Sequence, residues 1–104
     1  MNKLIQIDFD GVIHRASKGY QDGEIYDEPN TGACFTIKCL IDRGYEVEIL
    51  TARNKKDFEM MERWLDKWEF PKLHITNTKK PARAYIDNRA IRFTNFEDMR
   101  TYFI

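Results

Sequence analysis

The stretch Leu4-Ile5-Gln6-Ile7-Asp8-Phe9-Asp10-Gly11-Val12-Ile13 runs from apolar, β-branched residues into two carboxylates, and a glycine follows at once. So short and apolar a run predicts a buried strand over residues 3–9. The chain bends away where a strand ends, so Asp8 and Asp10 can both be presented at the carboxyl edge of a sheet. Two like charges this close are costly without a cation, and Mg²⁺ is commonly held by one or two carboxylates. The stretch therefore predicts a magnesium site.

Composition bounds the class of protein. The chain has 104 residues with zero net charge, which predicts one domain (1–104) and no general attraction to nucleic acid or membranes. Residues 72–92 hold six Lys or Arg against Asp87 alone, a local basic region that suits a small anion. No signal peptide or membrane-spanning stretch is evident, and Cys34 and Cys39 are spaced so that they point apart on a predicted helix. We expect a reduced, cytoplasmic protein.

Strand and helix patterns alternate along the rest of the chain. Helices are predicted from Pro29 to Gly44, from Asn54 to Trp68 and from Asn95 onward. Further strands are predicted at residues 45–51, 72–76 and 82–86, with a small fifth strand at 90–93. This order indicates an α/β domain with a mainly parallel sheet. Residues 11–28 are long for a connection and glycine-rich, which is typical of a functional loop.

Ligands of such sheets bind beyond the carboxyl ends of the strands, and those ends carry a consistent set of groups. Asp8 can attack phosphorus, giving an aspartyl phosphate, and Asp10 can carry the proton. Thr51 and the neighbouring amides can hold phosphoryl oxygens, Lys79 offers a positive charge, and Asp87 adds an oxygen ligand for Mg²⁺. These groups suit phosphoryl transfer.

The same residues resemble a known family. Asp8-Phe9-Asp10-Gly11-Val12 is similar to the opening motif of the haloacid dehalogenase superfamily of phosphatases, and Ile49-Leu50-Thr51-Ala52-Arg53 is similar to the second motif. Lys79 falls where the third-motif lysine is expected, and Ile86-Asp87-Asn88 resembles the fourth motif. The chain most resembles small, capless members from phages and bacteria. The resemblance implies a Rossmann-like sheet of about five strands in the order 3-2-1-4-5, helices on both faces and no cap domain, residues 11–28 forming at most a flap or hairpin.

The resemblance also implies roles for single residues. Asp8 and Asp10 would be catalytic with Thr51 and Lys79, and Gly11, Thr51, Ala52, Arg53 and Lys79 would bind substrate. Mg²⁺ would be held by Asp8, Asp10 (through its carbonyl), Asp87 and Asn88. The relatives usually carry a second acid where this chain has Asn88, so we expect weaker Mg²⁺ binding but not loss of activity.

Several residues keep two interpretations. Spacing from Asp87 favours Lys79 over Lys80 as the phosphate lysine. Arg53 could assist at the phosphate or form an ordinary salt bridge. A solvated loop position is favoured for His14 over a contact with substrate, and Arg89 is expected to brace the loop after Asp87.

The sequence thus predicts a Mg²⁺-dependent phosphohydrolase. An open, uncapped site suits a nucleic-acid end, a nucleotide or a phosphorylated small molecule, or a site roofed by another subunit of a homo-oligomer. The alternatives are a phosphate- and Mg²⁺-binding or regulatory protein on the same scaffold, and a phospho-accepting receiver domain. The last is disfavoured, because receiver domains place their acids side by side and the accepting aspartate on a later strand.

Overall fold

The central strand, β1 (Leu4–Asp8), pairs with a strand on each side in a computed structural model that describes all 104 residues. The other strands are β2 (Glu46–Leu50), β3 (His74–Thr76) and β4 (Ala84–Ile86). All pairings are parallel, in the order β3-β2-β1-β4. The helices are α1 (Ala33–Asp42), α2 (Phe58–Lys67), which follows a 3-10 turn at Lys55–Asp57, and α3 (Phe96–Arg100). The α/β class and the predicted strand order from β1 to β4 are confirmed.

One face of the sheet is apolar and carries the helical layer. Ile5 and Ile7 lie level with Val47 and Ile49 of β2, and Ile75 of β3 continues the row. Side chains from the two long helices join these residues in one buried cluster, chiefly Ile37 of α1 and Met61, Trp64 and Leu65 of α2. Such a stripe at helical spacing is what a sheet-packed helix requires.

The other face is polar where it is buried. Gln6 and Glu48 lie level on β1 and β2, and the Gln6 amide donates to the Glu48 carboxylate at 2.7 Å. The segment after β3 covers them: the Lys80 amide donates to Gln6 at 3.2 Å, and the Lys80 ammonium contacts Glu48 at 3.1 Å. Because buried polar groups must be paired, this network fixes the segment on the sheet. At this point a loop, not the expected second layer of helices, covers the sheet.

The predicted fifth strand is wrong. Residues 90–93 form no strand, and Ile91 and Phe93 are 41 % and 60 % exposed. Alternating apolar residues favour a strand only when one face is buried, and no strand pairs with β4 on its outer side. The final helix does begin after Asn95, whose side chain accepts a hydrogen bond from the Asp98 amide at 2.8 Å.

Smaller differences concern element ends. Each observed strand is two residues shorter than its predicted range, the usual error of boundary assignment. Gly44 follows α1 with a φ of 90°, as a helix-ending glycine should. Both cysteines are free and half-buried. No helix has the length and apolar character needed to cross a membrane.

Candidate functional site

A cavity of about 760 Å³ opens beyond the carboxyl ends of β1 and β2. Most of the residues that line it are polar, and one side is formed by Ala16 and residues 19–24 of the long loop together with Asn54, Lys56, Asp57 and Met60 at the start of α2. Seven predicted site residues line it: Asp8, Asp10, Gly11, Thr51, Ala52, Arg53 and Asn88. The predicted residues Lys79 and Asp87 do not.

The surroundings of the Asp8 carboxylate are those that an attacking group requires. One carboxylate oxygen accepts a hydrogen bond from the Phe9 amide at 2.8 Å, and the other has no hydrogen bond. Burial raises the pKa of the Asp8 carboxyl, the Phe9 bond lowers it, and the charges of Asp87 and Asp10 add to the rise. The net pKa is above the ordinary value, so the ionised form lacks charge compensation.

Asp10 is in the opposite electrostatic situation. Arg53 donates to both of its oxygens, from Nε at 2.8 Å and from Nη2 at 3.1 Å, and His14 Nδ1 lies 2.9 Å from Oδ1. Burial raises the pKa of the Asp10 carboxyl, but the hydrogen bonds from Arg53 and His14 outweigh burial and hold it below the ordinary value. Asp10 is therefore an ionised, firmly oriented carboxylate.

The expectation that His14 is a solvated loop histidine is wrong. Its side chain is 1 % exposed and packs against the rings of Phe9, Tyr26 and Trp64. The Asp27 amide donates to Nε2 at 3.2 Å, so Nε2 carries the lone pair and Nδ1 carries the hydrogen that is donated to Asp10. The local sequence does not signal this burial, because it depends on Tyr26, Asp27 and Trp64, which are distant along the chain.

Arg53 forms salt bridges, one of the two roles predicted for it. Besides Asp10 it contacts the Gly23 carbonyl at 2.6 Å and Asp57 at 3.3 Å, all through a guanidinium whose side chain is 10 % exposed. These contacts raise the pKa of Arg53, the Asp10 bond most strongly. A two-oxygen contact of this kind is a strong, directional ion pair.

Thr51 lies buried just after β2. Its Oγ1 accepts a hydrogen bond from the Arg53 amide at 3.1 Å, and its own amide donates to Thr76 at 2.9 Å. The hydroxyl hydrogen is therefore left to donate towards the cavity that Thr51 lines. This arrangement suits a group that holds a phosphoryl oxygen.

The groups that follow and precede β4 are arranged more loosely. Asp87 accepts from the backbone amide of Arg89 at 2.6 Å, and Arg89 also lines the cavity; the bracing role expected of Arg89 stays a prediction. Asn88 faces Gly11, whose carbonyl it contacts at a long 3.5 Å. Lys79 lies over the Tyr85 ring, 4.3 Å from its centroid. Lys80 is committed to Glu48, which leaves Lys79 as the freer of the two lysines.

The predicted ligands have the kind of oxygen atoms that Mg²⁺ prefers, but their side chains do not form a cluster. Asp8, Asp87 and Asn88 supply the hard oxygens that Mg²⁺ prefers. The pKa of Asp8 is raised by burial and by the negative charges of two other carboxyls, and a bound cation would offset those charges. No group of three or more His, Cys, Asp or Glu side chains lies close enough to hold a metal ion.

The long loop after the first motif makes no hairpin strands, only isolated bridges near its ends. Asp27 ties it together by accepting from both the Ser17 hydroxyl, at 2.6 Å, and the Ser17 amide, at 2.9 Å. The Tyr26 hydroxyl donates to Gly19 at 2.8 Å. The loop therefore has a defined shape along one side of the cavity.

Comparison of the chain with protein-family models, with curated proteins and with solved structures gives no match.

Proposed function

We propose that the protein is a Mg²⁺-dependent phosphohydrolase that acts through an aspartyl phosphate on Asp8. The observation that carries the proposal is the position of Asp8, which has one carboxylate oxygen without a hydrogen bond and lies beside Asp10 and Thr51 on one cavity. In this proposal Asp8 attacks, Asp10 moves a proton, and Thr51 with other groups holds the phosphoryl oxygens. These are the functions that phosphoryl transfer needs.

The proposed reaction has two steps. An Asp8 oxygen attacks phosphorus and the ester P–O bond breaks, while Asp10, which takes up a proton from solvent before this step, gives that proton to the leaving oxygen. Water then attacks the aspartyl phosphate, its proton passes to Asp10, and inorganic phosphate leaves with Asp8 regenerated. The lowered pKa of Asp10 suits the second, proton-accepting half, and the first half requires that its contact with Arg53 loosen.

Mg²⁺ would be held by Asp8, Asp87, Asn88 and the Asp10 carbonyl, and when bound it would neutralise charge on the phosphoryl group. Thr51 would donate to a phosphoryl oxygen. Lys79 would have to leave the Tyr85 ring to reach the phosphate, and Arg89 is a second cation already at the cavity wall.

The open, polar cavity suits a nucleotide, a nucleic-acid end or another phosphorylated small molecule.

A second candidate is a binding or regulatory protein that holds phosphate and Mg²⁺ without turnover. It is favoured by the position of Lys79 outside the cavity and by the engagement of Asp10 with Arg53.

Hydrolysis of p-nitrophenyl phosphate with and without Mg²⁺ tests the proposal. We expect Mg²⁺-dependent turnover that Asp8→Asn abolishes and that Asp42→Asn, an exposed acid at the end of α1, leaves unchanged. Phosphate label from substrate should be trapped on Asp8. Label on another residue would overturn the mechanism, and Mg²⁺ binding without turnover would favour the second candidate.

The metal part has its own test. Asn88→Asp adds a negative charge at the cavity, so Mg²⁺ affinity measured by titration calorimetry should rise several-fold. The matched control is Asn77→Asp, which adds the same charge at an exposed position after β3, outside the cavity. Equal affinities for both variants would mean that Asn88 is not near the metal.

A further inference from the structure

Arg53 contacts two parts of the molecule with one rigid group. Its Nε and Nη2 donate to the Asp10 carboxylate, and its Nη1 donates to the Gly23 carbonyl in the middle of the loop at 2.6 Å. Because the guanidinium is planar, a displacement that breaks the contact at Gly23 also disturbs the two bonds to Asp10. Asp57, at 3.3 Å, anchors the same group to the start of α2.

His14 makes a second connection of the same kind. Nδ1 donates to Asp10, and Nε2 accepts from the Asp27 amide near the end of the loop. The ring is buried, and the Asp27 carbonyl is held from the other side by the Trp64 indole at 3.0 Å. The loop is thus tied to Asp10 at two places, through two side chains that are themselves nearly buried.

We propose that Arg53 and His14 are positioning residues that join the Asp10 carboxylate to the loop formed by residues 15–28. Both Asp10 oxygens are engaged, so the carboxylate cannot rotate without releasing the loop, and the loop cannot lift without freeing the carboxylate. Since the loop lines the cavity, access for a ligand and the orientation of Asp10 change together. The significance for catalysis rests on the proposed function, but the mechanical connection does not.

Amide hydrogen exchange of the full-length chain, followed residue by residue by NMR, tests the connection without any turnover. Three amides report on the loop, because Gly19, Glu24 and Asp27 donate to Ala16, Gln21 and His14, respectively. We expect Asp10→Ala to raise their exchange rates about tenfold or more, although Asp10 contacts none of these three residues. The β2 amides, which lie in the sheet, should keep their rates.

Further variants complete the test. Arg53→Lys retains the charge but cannot make the three-point contact, so it should raise loop exchange as Asp10→Ala does, and the double variant should add little to either. Arg63→Lys, at an exposed ion pair on α2, is the control and should change nothing. If Asp10→Ala raises exchange in β2 as well, Asp10→Asn decides, because it removes the charge and leaves the volume.

The decisive variant is Asp10→Ala, or Asp10→Asn if Asp10→Ala also raises exchange in β2. If the loop amides of that variant exchange at the wild-type rate, the proposal is overturned, whether or not the protein hydrolyses phosphate esters. If the protein hydrolyses p-nitrophenyl phosphate, Arg53→Lys should lower kcat more than it changes KM, which a purely structural arginine would not do. Loss of loop protection in a protein without turnover would support the connection and reject the enzyme.

Discussion

The carboxyl ends of β1 and β2 and the end of β4 belong to one sheet edge, yet they hold their polar side chains differently. After β1 and β2, Asp10, His14 and Arg53 are joined by hydrogen bonds of 2.8–3.1 Å, and Thr51 is buried beside them. After β4, Asp87 and Asn88 are exposed, and the side chain of Asn88 reaches only Gly11 at 3.5 Å. Helices α1 and α2 support the first half, whereas β4 is a three-residue edge strand. One half of the candidate site is held firmly by the fold, and the other half is held loosely.

The largest expected effect tests this difference in support. Phe9 is fully buried next to Asp8 and packs edge-on against Trp64, so Phe9→Ala should lower the free energy of unfolding by about 3–5 kcal/mol. Tyr85→Ala on β4 removes a ring that is 40 % exposed and should cost about 1–2 kcal/mol. Urea denaturation measures both. Equal losses would show that β4 is as well supported as β1.

The two lysines before β4 should separate in the same measurement. Lys80→Ala leaves the nearly buried Glu48 with Gln6 alone, and we expect a loss of about 1–3 kcal/mol in unfolding free energy. Lys79→Ala removes only a contact with an exposed ring, worth about 0.5–1 kcal/mol. If Lys79 binds phosphate, its variant should lose turnover while staying folded. A greater loss of stability for Lys79 would contradict the network described for Lys80.

A pair of glycines probes the contact between the two halves. Gly11 and Gly19 have φ of 84° and 72°, and alanine at either position should cost about 1–2 kcal/mol of strain. Only at Gly11 would the new Cβ meet another group, the Asn88 amide nitrogen at 2.5 Å, whereas Gly19 faces open space. Gly11→Ala should therefore also displace Asn88 and weaken Mg²⁺ binding. Gly19→Ala should leave Mg²⁺ binding unchanged, and equal effects on Mg²⁺ would place Asn88 away from the ion.

The smallest effect concerns the loop. Hydrogen bonds from the Ser17 side chain, the Ser17 amide and the Glu28 amide lower the pKa of Asp27 to about 2. A lowered folded-state pKa means that this stabilisation is complete above the unfolded pKa, near 4, and is lost as the pH falls through 2. Ser17→Ala should raise the Asp27 pKa, read from carboxyl NMR shifts, while Ser17→Thr should keep it low. An unchanged value in Ser17→Ala would show that the two amides suffice.

Short-range sequence patterns predicted the features that depend only on neighbouring residues. The apolar runs of β1 and β2, the cap at Asn95 and the placement of Asp8 and Thr51 at strand ends follow from periodicity and parallel pairing alone. The burial of His14 and the ion pair between Arg53 and Asp10 do not, because each needs a distant contact: Asp27 is 13 residues from His14, and Asp10 is 43 residues from Arg53. The alternation at 90–93 gave a false strand, since periodicity does not say whether a neighbouring strand exists.

Trp64 has a consequence for anyone who studies this chain in solution. Its indole donates to the Asp27 carbonyl and is nearly buried among Phe9, His14 and Phe70, whereas Trp68, the other tryptophan, is 38 % exposed. In a Trp68→Phe background the tryptophan fluorescence would come from Trp64 alone. Its emission maximum and quenching would then follow the loop in real time, so the protein carries its own optical probe beside the cavity.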